Sequence, residues 1–148
     1  HDLGEIRYAD TPLYRVVTGL QADDKRSERR GLEELSASLP LHAQQDLLSS
    51  FDAFESELAD IDVLEALVSK WVDNMQGNHF AMVFGEDFSQ NADSIKKILN
   101  LRFIPITKRL MKILQARGEA EVLAEVKTVA AHHLDRVRTL GITIDSTI

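Results

Sequence analysis

The chain has 148 residues, of which 44% are hydrophobic and 28% are charged, and these are ordinary values for a globular domain. Its 24 acidic and 17 basic residues give a formal net charge of −7, which favours solubility and disfavours binding to nucleic acid. There is no cysteine, so disulfides, thiolate nucleophiles and cysteine-ligated metals are excluded. Apolar runs such as residues 80–84 are far shorter than the roughly 20 residues that span a bilayer, so we expect no membrane span.

Apolar side chains recur at helical spacing through the first half of the chain. They predict a short helix over 12–20, a second from Gly31 to Leu39, a long helix over 40–59 and another over 63–77. Residues 21–30 are almost all charged or polar, which indicates either a solvated linker or the charged start of a helix. The expected boundaries in this half are Thr11-Pro12, Pro40, Asp60 or Asp62, and Gly77.

The second half begins with a segment that is hard to classify. Residues 78–90 are dense in aromatic and apolar side chains but contain a glycine, and they predict a buried connection or a short helix. Three more helices are expected, one ending before Pro105, one beginning there, and one over 119–140. The tail, 142–148, alternates like a strand but has no strand to pair with. The expected boundaries are Asn91 or Asp93, Ile104-Pro105, Gly118 and Gly141.

These elements predict an all-α fold, a single-domain bundle of six to seven helices. We divide the chain into an N-terminal short helix and charged linker, 1–30, and a helical bundle domain, 31–148. Trp71 shares its helical face with other apolar residues and is expected to be buried. The inward-facing positions include Leu41, Val63, Leu67, Val68, Trp71, Val72, Ile95, Leu99, Phe103, Ile106, Leu110, Val122, Val126, Val129, His133 and Leu140.

Charge is unevenly distributed along the sequence. Residues 46–93 carry eleven acidic side chains and one basic side chain, Lys70, whereas residues 94–118 carry seven basic side chains and no acidic one. The simplest interpretation is that these are solvated helix faces that attract one another at long range. The alternative is that the basic residues form a surface that binds an acidic protein partner, or that oppositely charged faces of two copies associate with each other. The residues predicted to form this binding surface are Lys96, Lys97, Arg102, Lys108, Arg109 and Lys112.

The candidates for chemistry are few. His132 and His133 are adjacent, so on a helix they point about 100° apart and cannot readily ligate one metal ion together. His133 lies on the apolar stripe and is expected to be a hydrogen-bonded core or boundary histidine, whereas His132 shares a polar face with Glu125 and Asp135. No nucleophile elbow, phosphate loop or dinucleotide fingerprint occurs. We therefore predict no catalytic residue, no metal site, no cofactor and no enzymatic activity.

The functional hypothesis that remains is a non-catalytic helical domain that acts by binding another macromolecule, a protein and not a nucleic acid. A helical carrier of an apolar ligand is an alternative, since the aromatic side chains are concentrated in the middle of the chain and a cavity there would bind such a ligand. Because the first residue is His1, a processed or excised chain is expected, and the sequence leaves both a secreted and a cytoplasmic location open.

A third alternative comes from a resemblance. Residues 23–30, Asp-Asp-Lys-Arg-Ser-Glu-Arg-Arg, resemble the Glu-Glu-Arg element that precedes the helical domain of secreted oomycete effectors. Residues 15–18, Arg-Val-Val-Thr, lie where that family has its Arg-x-Leu-Arg element. The resemblance implies a secreted helical effector.

Overall fold

The computed structural model describes Gly19 and residues 25–56, 63–84 and 88–144, with the side chains of 80–91 left out of the description. No strand occurs in these ranges, which confirms the predicted all-α class. None of the described helices is long and apolar enough to cross a membrane. The helices are α1 (Lys25–Ser36), α2 (Leu41–Glu55), α3 (Leu64–Phe84), α4 (Phe88–Ile98), α5 (Ile104–Arg117) and α6 (Ala120–Thr139), with a π-helical turn (Leu99–Phe103) between α4 and α5.

The predicted break at Ile104-Pro105 is wrong, because α4, the π turn and α5 follow one another without interruption. The described part of the chain therefore forms five continuous helices, slightly fewer than the predicted six to seven. Proline lacks an N–H group, and its ring clashes with the carbonyl four residues earlier in a regular α-helix. For Pro105 that carbonyl belongs to Leu101, which lies inside the π turn. The wider π turn thus accommodates the proline within one helix.

Other boundaries divide into confirmed and corrected ones. The charged stretch before Gly31 is a helix start, because α1 begins at Lys25. Gly118 (φ 75°) and Gly141 (φ 82°) adopt the left-handed conformation after the last two helices, as predicted. Gly77, however, does not end α3, which continues to Phe84. Helix α4 starts at Phe88, in place of the predicted Asn91 or Asp93. The predicted helix over 12–20 and the predicted caps Asp60 and Asp62 lie outside the described residues.

The chain divides into two compact units, His1–Ala66 and Leu67–Ile148. In the first unit α1 packs on α2, with Leu32 and Phe51 buried. Two ion pairs also join these helices. Arg29 Nε lies 2.7 Å from Asp52 Oδ1, and Lys25 Nζ lies 3.4 Å from Glu55 Oε2. Helix α1 runs across residue 31, the predicted domain boundary, and that division of the chain stays a prediction.

The second unit holds the larger core. Its fully buried side chains include Leu67, Leu99, Phe103, Ile106, Leu110, Leu114, Ala130, Leu134 and Val137. Trp71 is 6% exposed, which confirms its predicted burial.

Several apolar residues predicted to face inward are exposed instead: Leu41, Val63, Val68, Val72, Val122, Val129 and Leu140. The reason is visible on α6, where the buried side follows Val126, Ala130, His133 and Val137. At about 100° per residue, Val122, Val129 and Leu140 lie on one edge of that stripe, where they meet solvent.

Candidate functional site

The centre of the second unit is a filled aromatic cluster. Trp71 Nε1 donates a buried hydrogen bond to Thr107 Oγ1 at 2.9 Å, and the Thr107 hydroxyl donates to the Phe103 carbonyl oxygen at 2.7 Å. The ring of Trp71 stacks on that of Phe103 with 6.4 Å between centroids, and the Phe103 ring lies 4.8 Å from that of His133. Hydrogen bonds and ring contacts thus link these four side chains into one cluster.

His133 lies against this cluster from α6 and is only 7% exposed. Its burial agrees with the prediction, but its Nε2 atom has no hydrogen-bond partner in the described part of the chain, so the expected bond at that atom is not formed. The pKa of His133 is lowered from 6.5 to about 4, mainly because burial disfavours the charged ring. The positive charges of His79, Arg136 and His132 lower the pKa further. The ring is therefore neutral at pH 7.

The polar face of His132 does not assemble a metal site. His132, Glu125 and Asp135 are all exposed, and Asp135 Oδ1 instead accepts a hydrogen bond from Arg138 Nη1 at 2.7 Å. Across residues 25–56, 63–84 and 88–144, no three histidine or carboxylate side chains lie close enough together to hold a metal ion. The described residues therefore do not by themselves provide a three-ligand site.

The predicted basic surface is distributed over α4, the π turn and α5. Lys97, Lys108 and Lys112 are exposed, and the other three side chains, Lys96, Arg102 and Arg109, are half-buried. Lys108 and Lys112 lie four residues apart on the solvent side of α5, opposite its buried Ile106, Leu110 and Leu114. The role of the six residues as a binding surface stays a prediction.

Four carboxylates of the described helices are at least partly shielded from water: Glu28, Glu33, Glu55 and Asp73. Glu28 on α1 is 5% exposed, and its Oε2 atom accepts a hydrogen bond from Lys25 Nζ at 3.1 Å. Asp73 on α3 is half-buried and lies three residues after Lys70, so these two side chains share one side of the helix. A carboxylate in such a position is suited to coordinate a cation, because it is accessible and only partly solvated.

Comparison with known proteins gives one match. Neither the curated proteins nor the solved structures contain a significant match to the chain. A family model described as HD domain matches residues 1–100, about two thirds of the 148 residues.

This match overturns the hypothesis of a non-catalytic domain that acts by macromolecular binding, because HD domains are typically metal-dependent phosphohydrolases. The effector and carrier alternatives are set aside for the same reason.

The matched range contains the only His-Asp doublet of the chain, His1–Asp2, and also contains Asp73. Neither is among the site residues predicted from the sequence, because the histidines were compared only with neighbours on their own helix; the sequence signal that corresponds to the family is the His-Asp doublet. Since the family model matches more than half of the chain, this protein belongs to the HD domain family.

Proposed function

We propose that this protein is a metal-dependent phosphohydrolase, an enzyme that cleaves a phosphate ester with water. The observation that carries the proposal is the HD domain match over residues 1–100, since that family typically has this activity. The proposal replaces our expectation that the chain is not an enzyme.

His1, Asp2 and Asp73 are the residues that we propose as metal ligands. Imidazole nitrogen together with carboxylate oxygens suits divalent ions such as Zn²⁺, Mn²⁺ and Fe²⁺. Asp73 provides a half-buried carboxylate on α3, and no two further donors accompany it among the described residues. The remaining donors must then come from elsewhere in the chain, and His1 and Asp2 have the required chemistry.

When bound, a divalent ion supplies Lewis-acid polarisation of the phosphoryl group. The contribution of the chain is to hold charges in fixed positions. Two carboxylates and a neutral imidazole balance a divalent cation. Lys70 is the only basic residue within 46–93 and lies on the same side of α3 as Asp73, so we propose that its ammonium group helps to bind the phosphate anion.

The test combines metal analysis with a hydrolysis assay. The purified protein, supplied with Mn²⁺ or Zn²⁺, is expected to bind the ion in stoichiometric amount and to hydrolyse p-nitrophenyl phosphate. His1→Ala, Asp2→Asn and Asp73→Asn should each lose metal and activity together. Lys70→Gln should raise KM more than it lowers kcat and should leave the metal content unchanged.

The matched control is Asp93→Asn, which removes an exposed carboxylate of α4 within the same matched range. It should keep both metal and activity, and in the absence of metal all variants should keep the wild-type melting temperature. Hydrolysis that is unaffected by a chelator, or an Asp73→Asn variant with wild-type metal content and activity, would contradict the proposal.

A further inference from the structure

Helix α6 carries a line of exposed apolar side chains beside its buried stripe. Val122, Val129 and Leu140, the residue that follows the helix, are 44%, 43% and 45% exposed. Val122 and Leu140 are about five helical turns apart, so they point in one direction, and Val129 points the same way to within about 20°. The three side chains thus form one line about 27 Å long that is open to solvent.

Three polar side chains lie on the same line and between the apolar ones. Glu125, His132 and Arg136 are all exposed, and each lies three or four residues from its neighbours on the line. The order along α6 is therefore apolar, acidic, apolar, imidazole, basic and apolar. Spacings of three and four residues are those of the seam along which two helices pack side by side.

The exposed charges of α6 differ in sign between its two ends. Residues 119–126 expose three glutamates and no basic residue, whereas the last turn exposes Arg136 and Arg138. Arg138 is paired with Asp135 on the same helix, so Arg136 is the cation of the exposed line. A second α6 lying antiparallel to the first would bring opposite charges together and would also oppose the two helix dipoles.

A single two-fold axis pairs this line of side chains with itself. The midpoints of positions 122 and 140, of 125 and 136, and of 129 and 132 all fall at or just before residue 131. An antiparallel pair of helices centred there therefore brings together side chains that suit each other in size or charge. The contacts are Val122 with the partner's Leu140, Glu125 with the partner's Arg136, and Val129 with the partner's His132.

The presence of both charges indicates which partner fits. An anionic lipid surface or a uniformly acidic protein would repel the glutamate end of the line, and a uniformly basic protein would repel the arginine end. A second copy of this chain matches both ends, because the antiparallel arrangement exchanges them. Contacts that are repeated by a two-fold axis are also the commonest kind in protein oligomers.

We infer that α6 is a self-association surface, through which two copies of this chain form an antiparallel dimer with two-fold symmetry. A single helix about 30 Å long offers a small interface, so the dimer forms reversibly and depends on protein concentration. The inference rests on α6 alone and is independent of the proposed phosphohydrolase activity.

Charge reversal tests the pairing by sedimentation velocity over a range of concentrations. Glu125→Arg places two arginines opposite each other, and Arg136→Glu places two glutamates opposite each other, so each variant should be a monomer where the wild type is a dimer. An equal mixture of the two variants should form dimers again, since every contact then joins an arginine to a glutamate. A monomeric wild type at every concentration, or dimers of both single variants, would overturn the inference.

The apolar contacts have a matched control on another helix. Val129→Lys, at the centre of the line, should abolish the dimer, whereas Val72→Lys, at a valine of α3 that is 46% exposed, should keep it. Both variants should keep the wild-type melting temperature at dilutions at which the wild type is monomeric, because both side chains already meet solvent. A dimer that survives Val129→Lys, or that is lost in Val72→Lys, would contradict the assigned surface.

Thiol cross-linking measures the orientation of the two helices, since the chain has no cysteine of its own. A mixture of Val122→Cys and Leu140→Cys should form a disulfide between two copies under mild oxidation, because these positions face each other in the antiparallel pair. Val122→Cys alone should not cross-link, because its two copies lie about 27 Å apart and a disulfide needs Cα atoms within about 7 Å. Efficient cross-linking of Val122→Cys with itself would show a parallel pair and overturn the inference.

Discussion

Replacing Thr107 with valine isolates one buried hydrogen bond, because the two side chains have nearly the same shape. Thr107 is fully buried, and its hydroxyl oxygen accepts the Trp71 indole N–H at 2.9 Å. In Thr107→Val the indole N–H, on a side chain that is itself 6% exposed, loses its acceptor. Leaving such a donor unsatisfied costs about 1–3 kcal/mol, and we expect the free energy of unfolding to fall by that amount.

The Thr107 hydroxyl also donates to the Phe103 carbonyl four residues earlier, and this second bond needs a control. Thr128 on α6 makes the same bond, from its hydroxyl to the Ala124 carbonyl at 2.9 Å, but at an exposed position. Thr128→Val therefore measures the loss of this local bond together with the change in helix propensity. We expect its effect to stay within about 0.5 kcal/mol.

Urea denaturation provides the assay, since Trp71 is the only tryptophan and its fluorescence reports on the site directly. Circular dichroism at the helix band supplies a second probe for variants without the indole. The double variant Trp71→Phe with Thr107→Val has neither the indole N–H nor the hydroxyl, so no buried donor is left without an acceptor. Its loss in free energy of unfolding should therefore be smaller than the sum of the two single losses by about 1 kcal/mol. Equal stabilities of Thr107→Val and Thr128→Val would refute the reasoning.

Three further predictions follow from single features. The pKa of His133 is lowered from its ordinary value of 6.5 to about 4 in the fold, so unfolding takes up a proton between these values. Stability should therefore fall by at most about 3 kcal/mol from pH 6.5 to pH 4, and a His133→Phe variant should lack this dependence in acid titrations followed by circular dichroism. Gly77→Ala should raise the free energy of unfolding by up to about 1 kcal/mol, and with it the melting temperature, since the added methyl group meets no atom within 4 Å in the interior of α3. Gly118→Ala, at φ 75°, should lower both. Lys108→Glu with Lys112→Glu should change stability by no more than about 0.5 kcal/mol, because both side chains are exposed; a large loss in thermal melting would show that these charges hold the fold together.

Local signals account for the parts of the fold that the sequence predicts correctly. The ends of α5 and α6 are predicted because glycine alone reaches the left-handed conformation without strain, and both glycines adopt it. The burial of Trp71 is predicted because helical periodicity places it among apolar neighbours. These features depend on a few adjacent residues, so one sequence is sufficient to recognise them.

Features that depend on distant partners are missed. Gly77 looks like a helix end, yet the helix continues past it, because a single glycine costs only about 1 kcal/mol and packing of the surrounding turns can offset this. The proposed metal ligands are separated by about seventy residues between His1–Asp2 and Asp73, and no periodicity connects them. Because His132 and His133 were compared only with neighbours on their own helix, no metal site was predicted, and the His1–Asp2 doublet was overlooked.

In the π turn, Leu99–Phe103, the number of residues is constrained more strongly than their identity. A π turn holds about one residue more than an α-helical turn, so deletion of one residue here would close it into regular α-helix. Pro105 would then lie inside a regular helix, where its ring clashes with the carbonyl four residues earlier, although the buried Ile106, Leu110 and Leu114 would all still be present. Leu101, by contrast, is 61% exposed within the same turn and should accept many substitutions. Among related sequences, we accordingly expect variation of the residue at Leu101 and no insertions or deletions between Leu99 and Phe103.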